Sequence, residues 1–185
     1  MSGVHFDQIN IARDWFEFGK NGNFPNQTDD DTAKVITQFV AYWVAFNSIY
    51  SVDMDQPDEK IRSKMKLTER KQIEDCINNY YENCFKDAID FNAEYINIFK
   101  EVPVFKGVKI PEKNKKYYNI HYLTLNDGNS SDEIKLNALV QIIYQVRCNV
   151  FHGSKSPQPG RNYNLVKNSN IVLEKLLSAY IKHKT

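Results

Sequence analysis

From Val35 to Val52 the chain runs for 18 residues without a charged side chain, and this stretch constrains the fold more than any other. Thr37, Gln38, Asn47, Ser48 and Ser51 interrupt it, so it reads as a buried helix and not as a membrane span. Its bulky groups Val35, Phe39, Trp43, Phe46 and Tyr50 recur every three or four positions, the period of one helical face. Asp29, Asp30 and Asp31 stand where a helix start favours negative charge. A helix this apolar needs other helices wrapped around it. Asn47, on the same stripe, is expected as a buried amide whose partners lie inside the bundle.

Further helical segments supply those partners. Phe6, Ile9, Trp15 and Phe18 lie near helical spacing in a first helix that stops at Asn21-Gly22. After a linker over residues 53–66, Thr68 opens a third helix carrying Ile73, Ile77, Tyr80, Tyr81 and Phe85, and residues 89–99 continue it or pack beside it. Between residues 101 and 131, Pro103, Gly107, Pro111 and Gly128 break the period, and runs such as VPVF and YYNIHYL favour extended backbone. Ser131-Asp132-Glu133 then caps a helix that runs to about His152 and ends at Gly153. A last amphipathic helix carries Leu165, Ile171, Val172, Leu176, Leu177 and Tyr180. The expected fold is all-α: a single domain over 1–185, about five to six helices, with a short irregular or β-hairpin insertion at 101–131.

Composition agrees with that reading. Seven Gly and six Pro in 185 residues are too few for the many turns of an all-β chain, and 42% hydrophobic residues suffice for a core. Three cysteines, Cys76, Cys84 and Cys148, leave an odd thiol under any pairing, which points to a reducing compartment and a cytoplasmic location. The start of the chain lacks the basic and apolar pattern of a signal peptide. The net charge of +1 excludes a global positive field. Its distribution is nevertheless uneven. Residues 1–60 carry 4 basic and 10 acidic groups, whereas residues 147–185 carry 7 basic groups against Glu174 alone.

The helix before Gly153 holds the most chemistry. Leu139, Ile142, Ile143, Val146 and Val150 share one face, and a second strip of Val140, Tyr144 and Phe151 lies about 120° around. A helix apolar on two sides needs two partners, and the second is either another helix of the chain or the same helix of a symmetric copy. Val140, Tyr144 and Phe151 are therefore the expected dimer interface. Arg147 projects between the strips, where a guanidinium is expected to have an assigned task. His152 follows five residues later, about 140° around, so the two converge only if the last turn unwinds or if two subunits share one cleft.

The run Tyr144-Gln145-Val146-Arg147-Cys148-Asn149-Val150-Phe151-His152-Gly153-Ser154-Lys155-Ser156-Pro157 resembles the Arg-x4-6-His signature of HEPN domains, closest to the Apea-like branch. The segment Phe39 to Tyr50 is similar to that branch's aromatic helix, the likeness extends weakly to Arg161 and Leu165-Val166, and residues 101–131 lie outside it. Cys148 follows the arginine where the family often has a polar residue, and Ser154 replaces the tyrosine of one variant. The resemblance implies a metal-independent endoribonuclease without a cofactor, acting as a toxin or defence effector, with RNA as substrate, a homodimeric assembly and an antitoxin protein as partner. The alternative it leaves open is a non-catalytic HEPN module that binds a partner protein, nucleic acid or nucleotide.

Metal-free RNA cleavage requires a proton taken from the 2′-hydroxyl, charge neutralised on the phosphorane-like transition state, and a proton given to the leaving oxygen. In the implied site His152 is the general acid or base, Arg147 holds the phosphate, and Asn149 positions one of them. The plain structural alternative is a helix-capping His152 and a salt-bridged Arg147. Lys155 and Arg161 could hold neighbouring phosphates, and Lys115, Lys116 and Tyr118 belong to a basic, aromatic stretch on which unpaired bases could stack. Charged edges that prevent sheet pairing would look the same there. His121 has no Cys, Asp or Glu companion at ligand spacing, so no metal is expected. Gly153-Ser154-Lys155-Ser156 lacks the upstream glycine of a phosphate-binding loop.

Overall fold

The computed structural model describes residues 4–21, 31–51, 68–101, 103–104, 120–151 and 160–185. Among them the chain forms α1 (Val4–Asn21), α2 (Asp31–Tyr50), α3 (Glu69–Tyr80), α4 (Glu94–Glu101), α5 (Asp132–Phe151) and α6 (Arg161–Lys184). A π-helical turn, Tyr81–Phe85, prolongs α3, and residues 120–126 are also helical. The described residues contain no strand, and none of their helices is long and apolar enough to cross a membrane.

The charge-free α2 lies at the centre. Phe39, Tyr42, Trp43, Phe46, Ile49 and Tyr50 are buried on more than one of its sides. α1 and α6 cover it on two flanks. The Asn170 amide of α6 donates to the Val35 carbonyl at 2.9 Å and to Gln38 Oε1 at 3.2 Å, a polar lock inside an otherwise apolar seam. α5 is buried nearly all round, as an expectation of two apolar faces requires, and α3 packs along it.

The caps read from sequence form. Lys71 N–H donates to the Thr68 hydroxyl at 3.4 Å, and Ile134 N–H donates to the Ser131 hydroxyl at 3.4 Å. Three expectations need correction. Asn47 is exposed, because α2 turns that position outward while Phe46 and Tyr50 enter the core. Trp15 and Phe18 are 38% and 40% exposed, because the side of α1 that meets α2 carries Ala12, Phe16 and Gly19. The extended backbone expected for YYNIHYL fails over 120–123, which are helical. Burial of Leu125 and back-bonding of Thr124 to the Ile120 carbonyl at 2.8 Å outweigh the local β preference. The remainder of that run, with residues 105–119, lies outside the described residues.

Gly19 sets how closely α1 approaches α2. A Cβ there would lie 2.8 Å from two carbons of the Tyr42 ring and 3.1 Å from the Ala41 Cβ. The ring cannot give way, being fully buried and stacked on Phe16 at 5.6 Å between centroids. Overpacking of this kind costs about 1–3 kcal/mol, against about 1 kcal/mol gained from alanine's better helix propensity. Gly19→Ala is therefore expected to lower the unfolding free energy by about 1 kcal/mol in urea denaturation. A variant as stable as the parent would contradict this contact.

Candidate functional site

Arg147 sits one turn before the end of α5, with its guanidinium carbon 4.8 Å from the centroid of Phe151 and 5.9 Å from that of Trp43. The two rings clamp it from the last turn of its own helix and from α2. Its Nη1 lies 3.7 Å from Glu69 Oε2, a long contact between side chains that are 25% and 29% exposed. Glu69, first residue of α3, is held from the other side: the Tyr50 hydroxyl donates to its Oε1 at 2.6 Å. Burial, and after it the bond to Glu69, raises the Tyr50 phenol well above its ordinary range, so it stays a donor. Burial and neighbouring Cys148 do the same to Tyr144. Among the described residues, two buried donors in this cluster, Arg147 Nε and Trp43 Nε1, have no hydrogen-bond partner.

Asn149 lies on another side of α5. Two residues from Arg147 it points about 200° away, is 6% exposed, and accepts from Gln145 Nε2 at 3.2 Å. It ends a ladder of side-chain amides, Gln141, Gln145 and Asn149, spaced four residues apart on one line of α5. The Arg70 guanidinium of α3 closes the other end: Nη1 donates to Gln141 Oε1 at 2.8 Å and Nη2 to Gln145 Oε1 at 3.0 Å. Gln141 Nε2 returns a bond to the Arg70 carbonyl at 2.8 Å. Arg70 also lies over the Tyr144 ring, 4.5 Å from its centroid.

Glu69, Arg70, Tyr50, Gln141 and Gln145 are thus parts of the site that motif reading passes over. Their signal in the sequence is faint but physical: amides repeating at i and i+4 on a helix otherwise apolar, and an Arg in the first turn after the Thr68 cap.

The other expected residues divide. Val140 is fully buried within the protomer and cannot face a second copy, which corrects its place in a dimer seam. Tyr144 is half-buried, with Trp43 6.0 Å away and Arg70 above its ring, so the chain itself covers most of the second apolar strip. Phe151 is left 45% exposed. Arg161 is the exposed first residue of α6, and partial burial lowers its pKa while Glu101 opposes the shift. His152, Lys155, Lys115, Lys116 and Tyr118 lie outside the described residues.

On the far side of α3 an open groove of about 700 Å³ runs between α3, the 120–126 helix and the start of α5. Arg70 and Gln141 reach it from within, and His121 lines its wall. Burial, reinforced by the Arg70 charge, lowers the His121 pKa to about 4, with Glu74 opposing. The imidazole is neutral at physiological pH.

Comparison with protein-family models, with curated proteins and with solved structures finds no match to this chain.

The two arginines should respond differently to truncation. Arg70→Ala removes the charged donor from the side-chain oxygens of the buried Gln141 and Gln145, an expected loss of about 2–3 kcal/mol. Arg147→Ala removes a long, part-exposed ion pair and two ring contacts, an expected loss of about 1 kcal/mol. Denaturant titration showing equal losses would contradict the assignment of the structural role to Arg70.

A second expectation concerns pH. The unfolded chain protonates His121 below about pH 6.5, the folded chain only near 4, so between these values the unfolded state binds more protons. Stability falls as pH drops through this window. His121→Gln should flatten that part of the stability profile, and an unchanged slope would show that His121 is not held neutral.

Proposed function

We propose that the chain is a metal-independent endoribonuclease of HEPN type in which Arg147 stabilises the scissile phosphate and His152 transfers protons. The observation that carries this reading is the state of Arg147: clamped between two rings, with one long contact to Glu69, and with Nε unpartnered among the described residues. A guanidinium committed only to structure would be expected to close its hydrogen bonds, as Arg70 does. The all-helical bundle with Arg147 in the last turn of α5 agrees with a HEPN-like arrangement, and His152 follows that helix directly in sequence.

RNA is the substrate in this reading, and toxin or defence action with an antitoxin partner is the biological setting that the sequence resemblance suggests. A homodimer would bring a second Arg147 and His152 to the cleft through the exposed end of α5 at Phe151. Asn149 Oδ1 accepts from Gln145 within α5, so in this scheme any positioning role of Asn149 acts from the side of the helix away from Arg147.

One observation favours the competing reading of a non-catalytic binding module. Glu69 places a carboxylate, fixed by Tyr50, beside the guanidinium that would receive the phosphate.

Single-stranded RNA incubated with purified protein in EDTA separates the two. The nuclease reading expects cleavage that His152→Ala lowers by about 10²- to 10⁴-fold and Arg147→Ala by a comparable factor. Wild-type rates in both variants overturn it. A protein that binds RNA or another partner without cutting supports the module.

A further inference from the structure

The groove between α3, the 120–126 helix and α5 is chemically unlike the Arg147 cluster. Its charges balance: Arg70 and Lys71 stand against Glu74 and Glu133. Both cations already have partners. Arg70 donates into Gln141 and Gln145, and Lys71 pairs with Glu74 at 3.2 Å and Asp75 at 3.0 Å. A phosphate or carboxylate ligand is therefore disfavoured.

What the groove does offer is neutral hydrogen bonding. Asn78, Asn137 and His121 line it, and among the described residues none of their side chains has a hydrogen-bond partner. Each presents a donor and an acceptor in one plane, since the imidazole is kept neutral by its surroundings. Ile120 of the 120–126 helix and Ile134 of α5, 53% and 52% exposed, add apolar surface to the lining. A ligand that fits has a flat apolar body, a donor–acceptor edge and no net charge.

We propose that this groove binds an unpaired nucleobase, with the side-chain amides of Asn78 and Asn137 and the His121 imidazole reading its edge while Ile120 and Ile134 cover its faces. In-plane amide pairing with a base edge is the pattern by which Asn recognises adenine. The volume of about 700 Å³ admits a base with its sugar. Glu69 and Arg70 are consecutive, one at the Arg147 cluster and one at this groove, so a strand could lie across the start of α3 and touch both. The inference rests on the RNA reading above only for the source of the base. A free nucleoside contains no phosphodiester, so its binding stands or falls independently of any cleavage assay.

The test is an NMR titration of the full ¹⁵N-labelled chain with adenosine, guanosine, cytidine and uridine. At least one should shift amide signals of residues 120–126 and 133–138 with Kd of about 1 mM or tighter. Asn137→Ala and Asn78→Ala should each weaken that nucleoside by about tenfold, with unchanged circular dichroism. Asn78 is exposed, so its variant keeps the test valid if Asn137→Ala unfolds. Absence of any shift, or affinities unaffected in both variants, overturns the proposal. So does a groove that responds to acetyl-Leu-Leu-amide but to no nucleoside, which would identify a peptide site.

Discussion

The Arg70 guanidinium, drawn from the first turn of α3 onto the amides of α5, is the interaction on which the rest of the site depends. Packing a guanidinium against a helix face is costly unless its donors are met, and Gln141 and Gln145 meet them with two charge-assisted bonds. That requirement leaves little freedom in how α3 lies along α5. With the register fixed, Glu69 faces Arg147 and Tyr50 on one side, while Thr68, Lys71 and Glu74 line the groove on the other. Both candidate sites are consequences of one docking event.

The apolar framework was largely legible because burial leaves a period. The Val35–Tyr50 stripe, the Thr68 and Ser131 caps and the final helix all follow from spacing and cap chemistry. Errors arose where tertiary contact overrides local pattern. Trp15 and Phe18 look like core residues by period, yet α1 approaches α2 through Gly19, whose significance is visible only beside the Tyr42 ring. Val140 looked like half of an intersubunit seam because a helix with two apolar faces has no way of telling, in one dimension, whose chain covers the second.

The polar half of the site was less legible for a related reason. Arg147 stood out through its motif, but Glu69 and Arg70 are 78 and 77 positions away from it in the chain, and nothing local links an ordinary Glu-Arg pair after a cap to a helix that distant. Asn149, beside Arg147 in sequence, reads as its helper. On a helix, two residues apart means nearly opposite sides, and the amide spacing at 141, 145 and 149 is what assigns Asn149 to Arg70's ladder.

The energetics of Arg147 bear on how a phosphate could be received. A bidentate fork needs two adjacent N–H groups. Nη1 is turned toward Glu69, so the complete fork that remains is Nε with Nη2, and Nε is covered. Of the two rings against the guanidinium, Trp43 is locked in the core at 2% exposure, whereas Phe151 is 45% exposed in the last turn of α5 and is the one able to turn aside. An exposed cation–π contact contributes about 0.5–1 kcal/mol, and a hydrogen bond to a charged group about 1.5–3 kcal/mol. Two such bonds to a phosphate outweigh loss of the Phe151 contact, and an ion pair as open as Arg147–Glu69 adds only about 0–1 kcal/mol of resistance. The arrangement at Arg147 is therefore closed in the free chain yet shallow enough for an anion to open.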